Sequence, residues 1–226
     1  MKQAKIQQIL VSIKDTPSFQ QALTHSSRKN ESPEKNIIDY ENMEFLGDSI
    51  LGFQVSSYVY QKYPHYSEGQ MSKLKQFMVQ EKTLASLSKE VGLANYLKLG
   101  TGEEKSGGRH KVSILADIFE SFVAALYLEK GMREVRKFLN LSLFLWAKGK
   151  ENEIWDHKTQ LQELCQAQHN RIFYRLIKNN RETTDKHFIM EVYDELGKFR
   201  TQGQGKNKKS AEQEAAYKVL KQLKKK

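Results

Sequence analysis

The rhythm of apolar residues changes once along this chain, and that change limits the folds it can adopt. Up to about Trp146, apolar residues recur at three- and four-residue spacing in FLGDSILGFQVSSYVYQKY, MSKLKQFMVQEKTLASLSKEV and SILADIFESFVAALYLEKG. That is the period of helices burying one face. Gly92, the Gly100 to Gly108 region and Gly131 punctuate the runs. AKGKENEIWDHK is polar and aperiodic. A short helix, KTQLQELCQAQ, then precedes three segments that alternate or are rich in strand formers, RIFYRLIK, HFIMEVYDE and GKFRTQGQ. A last helix from about Asn207 carries Ala211, Ala215, Ala216, Val219, Leu220 and Leu223 on one face. The expected architecture is an all-α unit over 1–148, a linker over 149–156, and a small α+β unit of order α-β-β-β-α over 157–226.

Charge is shared unevenly between the two. The 226 residues carry a net +10. From Asp156 onward there are 16 Lys and Arg against 9 Asp and Glu, a net of +7, which points to the smaller unit as a grip for a polyanion. No apolar run approaches the roughly 18 residues of a spanning helix, and the N-terminal stretch has no signal-peptide core. The one cysteine, Cys165, excludes an intrachain disulfide and is expected in the core rather than as a nucleophile. The chain is expected to be cytoplasmic, with no membrane attachment and no nucleotide cofactor, since no glycine pattern matches a nucleotide-phosphate loop.

Acids gather in the other, less basic half. In YENMEFLGDSILGF, Glu41, Glu44 and Asp48 fall at i, i+3 and i+7, on one helical face; Asp117 and Glu120 in SILADIFES repeat the i, i+3 spacing. Like charges stacked so repel unless a cation or bound protons offset them. If the two helices pack together, Glu44, Asp48, Asp117 and Glu120 can converge on one hard cation, for which an all-oxygen shell suits Mg²⁺ or Mn²⁺. The alternative is two solvated helical faces. Phe45, Leu46, Ile50, Leu51, Ile118, Phe119, Phe122 and Val123 surround the acids, so little of either helix is expected to face open water.

EFLGDSIL, preceded by Glu41, resembles the signature of ribonuclease III, an endonuclease specific for double-stranded RNA. The resemblance continues through ALTHSS, SEGQMSKLK, LKLGTGEEKSGG and SILADIFES, and the C-terminal unit resembles a double-stranded-RNA-binding domain. It implies that Glu44, Asp48, Asp117 and Glu120 bind metal, with Asp48 and Glu120 closest to the chemistry. It also implies that Glu41 and Glu68 engage the scissile strand. The implied activity is Mg²⁺-dependent hydrolysis, Mn²⁺ substituting, that leaves staggered 5′-phosphate and 3′-hydroxyl ends. The implied working form is a homodimer, and the implied substrates are ribosomal RNA precursors, messenger RNAs and other structured RNAs. Phe45 matches a position whose ring inserts into the partner subunit; ordinary core is its other reading. His25 in LTHSS is expected to be a structural hydrogen-bonding residue rather than a general base.

In the C-terminal unit the resemblance places Thr159, Gln162 and Glu163 toward one minor groove, and Lys206, Asn207, Lys208 and Lys209 toward phosphates. Such a domain recognises A-form shape and 2′-hydroxyls rather than base sequence. Where a histidine often enters the second minor groove, ETTDKHF offers Thr184. The rival reading is a non-catalytic regulator that binds duplex RNA, which has no need for four acids beside a phosphate backbone.

Overall fold

The computed structural model describes residues 2–33, 36–148, 150, 157–180 and 187–223. By contacts the chain divides into two compact units, Met1–Lys148 and Gly149–Lys226. The first is helical: α1 (Lys2–Val11), α2 (Pro17–Ala22), α3 (Ser26–Glu31), α4 (Glu41–Lys62), α5 (Glu68–Val79), α6 (Glu81–Val91), α7 (Thr101–Lys105), α8 (Val112–Leu141) and α9 (Leu143–Ala147).

α8 is the centre of this unit, and α2, α4, α6 and α9 pack on it. Ile118, Phe119, Phe122, Val123, Leu126 and Phe138 are fully buried along it. Their rings meet edge-on or tilted, Phe122 on Phe138 at 5.0 Å and Phe19 on Phe122 at 6.1 Å, as aromatic quadrupoles prefer. At Gly131 the backbone turns to φ 76°, ψ 177°, which interrupts the helix at a conformation that costs glycine little.

The run MSKLKQFMVQEKTLASLSKEV, continuous in its apolar spacing, is two helices. Gln80 is extended (ψ 147°) and separates α5 from α6. There the Thr83 hydroxyl donates to the Phe77 carbonyl at 3.0 Å, satisfying a group that a continuous helix would have bonded internally.

The second unit contains α10 (His157–Ala167), a three-stranded antiparallel sheet in the order β1 (Ile172–Asn180), β2 (His187–Asp194), β3 (Arg200–Gly205), and α11 (Lys208–Leu223). Phe173, Tyr193 and Arg200 lie in register across it. Both helices contribute to one core of Leu161, Cys165, Val192, Ala215, Ala216 and Val219. Cys165 is therefore a core residue, and burial pushes its thiol pKa up, away from nucleophilic use. On α11 the expected apolar face holds for Ala211, Ala215, Ala216 and Val219, whereas Leu223 at its end is exposed. α11 lies hard against β3: a Cβ on Gly203 would stand 2.2 Å from the Ala215 nitrogen and 2.3 Å from the Ala211 carbonyl oxygen. Most of the expected linker, residues 151–156, and Thr184 lie outside the described residues.

Candidate active site and RNA-binding face

α4 and α8 cross where the two acid pairs sit, and the crossing is closer than side chains allow. A Cβ on Gly47 would stand 1.9 Å from the Glu120 carbonyl oxygen and 2.4 Å from its carbon. Backbone meets backbone there. Gly47 lies between Glu44 and Asp48 on α4, so a residue without a side chain at this point sets both beside Asp117 and Glu120. The first turn of α4 also suits acid, because Glu41 and Glu44 stand beside its unpaired N–H groups.

The electrostatics follow from this crowding. Burial, then repulsion from Asp117, Glu41 and Asp48, raises the pKa of Glu44. Glu120 is pushed up to about 8 by burial first, then by Asp48, Glu44, Asp117 and Glu81. Asp117 is raised by burial first, its hydrogen bond from Tyr40 works against that rise, and Glu81 adds to it. All four expected acids, with Glu41, thus belong to one field of mutual repulsion. As the side chains stand, no three His, Cys, Asp or Glu among the described residues close around a common point. The donor set is all carboxylate oxygen, which suits a hard divalent cation, and the crowding of negative charge favours one.

Two neighbours of the cluster carry no signal in the sequence. Tyr40 is buried, and its hydroxyl donates to Asp117 Oδ2 at 2.9 Å. Glu81, at the start of α6, adds its charge against Asp117 and Glu120. Neither belongs to the acid periodicity; chain folding alone brings them in. His25 has the structural character expected of it. Its Nδ1 accepts from the Ser27 backbone N–H at 3.1 Å, caps α3, and lies 2.8 Å from the Ser27 hydroxyl.

The expectation that little of these helices meets water holds for α8 and fails for α4. Glu41, Phe45 and Asp48 are exposed. Phe45 is 79% exposed, which removes the core reading, and Phe53 (60%) and Tyr60 (71%) continue its stripe along the helix. Glu68 opens α5, exposed, and accepts from the Ser72 hydroxyl at 2.7 Å.

In the second unit, Thr159, Gln162 and Glu163 are exposed on α10. Lys206, Asn207, Lys208 and Lys209 are exposed where α11 begins. Asn207 caps that helix, its Oδ1 accepting from the Ser210 N–H at 2.8 Å. The three lysines stand beside a helix N-terminus, where backbone and charge together favour anions.

Comparison with known proteins bears on both units. A family model described as ribonuclease-III-like matches residues 15–145, and one described as a double-stranded RNA binding motif matches residues 157–223. The chain is 41% identical to ribonuclease 3 of Streptococcus uberis over 215 residues, covering 94% of this chain and 93% of that one. It is 43% identical to ribonuclease 3 of Enterococcus faecalis over 212 residues, covering 92% and 91%. Among solved structures, the nuclease domain of ribonuclease III from Campylobacter jejuni matches with TM-score 0.53 and 34% identity, over 61% of this chain and 91% of that one. A second structure of that domain, at 33% identity and TM-score 0.53, has a title concerning flexibility in a region involved in dimer formation. A helical nuclease unit followed by a duplex-RNA-binding unit defines an endoribonuclease of double-stranded RNA. The chain belongs to the ribonuclease III family.

Proposed function

We propose that this chain is a cytoplasmic, homodimeric, Mg²⁺-dependent endoribonuclease. Residues 1–148 cut and dimerise, and residues 157–226 grip duplex RNA. Glu44, Asp48, Asp117 and Glu120 hold the cation. The observation that carries this is the backbone approach of Gly47 to Glu120, which sets two acid pairs from separate helices at one crossing. Mg²⁺ held there supplies an activated water and offsets charge on the leaving oxygen. The chain's own residues supply the rest. The crossing fixes the acids, and Asp48, on the exposed side, stands open to the substrate. Glu41 and Glu68, both exposed, engage the scissile strand. Thr159, Gln162 and Glu163 take a minor groove, while Lys206, Asn207, Lys208 and Lys209 take phosphates. In the hydrolysis, water's oxygen bonds phosphorus, and the P–O3′ bond breaks with its electron pair on the 3′ oxygen. That oxygen takes a proton, leaving 5′-phosphate and 3′-hydroxyl ends. The substrates are structured RNAs, stems of ribosomal precursors and messenger RNAs among them. The exposed stripe of Phe45, Phe53 and Tyr60 supports a second copy as its cover, because rings so open to water gain by burial.

Cleavage of a long RNA duplex is expected with Mg²⁺ or Mn²⁺, to stop in chelator, and not to return with Ca²⁺, whose longer and looser coordination fits the reaction poorly. Cutting in chelator would end the metal assignment. Ending the chain before Asp156 is expected to leave a dimer that cuts weakly and only at low salt. The removed segment carries the net +7 whose counterion release supplies affinity. A monomeric product in sedimentation would show that the units' roles are misassigned.

A further inference from the structure

Asp117 has one hydrogen bond that none of the other three acids has, from the Tyr40 hydroxyl to its carboxylate. Tyr40 precedes the first residue of α4, and its backbone is held from both sides. Its N–H donates to the Thr24 carbonyl at 2.9 Å, and its carbonyl accepts from the N–H groups of Met43 and Glu44 at 2.8 Å each. The ring is 4% exposed, so it cannot swing into solvent. One of its sides meets the His25 ring at 5.7 Å, a ring itself pinned by Ser27. From this socket the hydroxyl reaches across to α8 and donates to Asp117 Oδ2 at 2.9 Å.

We infer that Tyr40 is a positioning residue: it sets the rotation of the Asp117 carboxylate, so that Oδ1 is the oxygen offered to the cation. This rests on the proposal that Asp117 is a cation ligand. An aspartate carboxylate rotates freely about its last bond unless something holds one oxygen. Here the holder is a rigid phenol with a fixed ring. Among the described residues, no other side chain donates to Asp117. The same backbone that presents Tyr40 begins the helix that carries Glu44 and Asp48. The phenol therefore ties the orientation of an α8 ligand to the placement of α4. Hydrogen-bonding partners of ligating carboxylates commonly govern metal affinity by about 10- to 100-fold when removed.

Tyr40→Phe tests this, since it keeps the ring and deletes only the hydroxyl. The Mg²⁺ concentration for half-maximal cleavage is expected to rise about 10- to 100-fold, with most of the parent rate returning at high Mg²⁺. Mn²⁺ affinity, measured by calorimetry on the full chain without RNA, is expected to fall by the same factor. Duplex binding in a gel shift in chelator stays at the parent value. Parent-like Mg²⁺ dependence together with parent-like Mn²⁺ affinity overturns the inference. So does a lowered thermal midpoint with Mn²⁺ affinity unchanged, which is what a purely structural tyrosine gives. Asp117→Asn separates the two levels of argument. If it cuts and binds Mn²⁺ like the parent, the cation assignment itself falls. If it loses both while Tyr40→Phe is unaltered, only the role of Tyr40 falls.

Discussion

Glu120→Gln is expected to lower cleavage by orders of magnitude and to leave duplex binding nearly unchanged. Glutamine keeps the size and one carbonyl oxygen but removes the carboxylate that, in the proposed site, helps hold the cation on which attack and departure of the leaving oxygen both depend. In the proposed division of labour, binding rests on α10 and on the lysines at the start of α11, more than thirty residues further along the chain. A gel shift and a cleavage time course on one duplex at fixed salt measure both, and equal cleavage by variant and parent would remove Glu120 from the cation site.

The same substitution has a signature in stability. With its pKa at about 8 in the folded protein against 4.5 as the ordinary value, Glu120 holds a proton in the folded state that the unfolded chain has released. Its contribution is full below about pH 4.5 and is lost as pH rises through 8. In chelator, the parent should therefore lose stability relative to Glu120→Gln between pH 5 and pH 8.5, by roughly 2 kcal/mol after allowance for the site's contact with water. Thermal unfolding of both proteins across that range gives the answer. Parallel pH curves would mean that the crowding of acids around Glu120 is overstated.

Gly47→Ala should have the largest effect on the fold. Alanine is the better helix former by about 1 kcal/mol. Its methyl group, however, would stand 1.9 Å from the backbone oxygen of Glu120, an atom no side-chain rotation can move. The two helices must part, at a cost of about 3 kcal/mol or more, so the clash outweighs the propensity. Cleavage should fall too, because the crossing that separates is the one that gathers the acids. Gly52→Ala, five residues along α4, is the control. Its methyl would meet only the end of the Lys75 side chain at 3.7 Å, so propensity should prevail and the thermal midpoint should rise. A stable, active Gly47→Ala protein would mean that the crossing does not depend on the glycine.

Much of this molecule was legible in the order of its residues. The helical period up to Trp146, the alternation after it and the acids at i and i+3 are local properties. Helix and strand impose such spacings directly on sequence, so they read out without a fold. The ordered motifs supplied the family, which the family models and the relatives bear out. Position in space was not legible. Continuous apolar spacing could not show the break at Gln80, because the spacing survives a change in backbone direction. Nor could it separate the buried face of α4 from the face that carries Phe45 into solvent, since an apolar ring satisfies both patterns. Tyr40, just before α4, and Glu81, at the start of α6, reach the acids from segments distant in sequence from α8, and no period links them to it. The sequence alone determined which elements form and which acids lie on which helix. Only the tertiary structure decided that Gly47 lets two backbones touch and that a buried phenol holds Asp117. Close approach and side-chain rotation arise from packing between elements distant in sequence, and spacing along the chain holds no record of either.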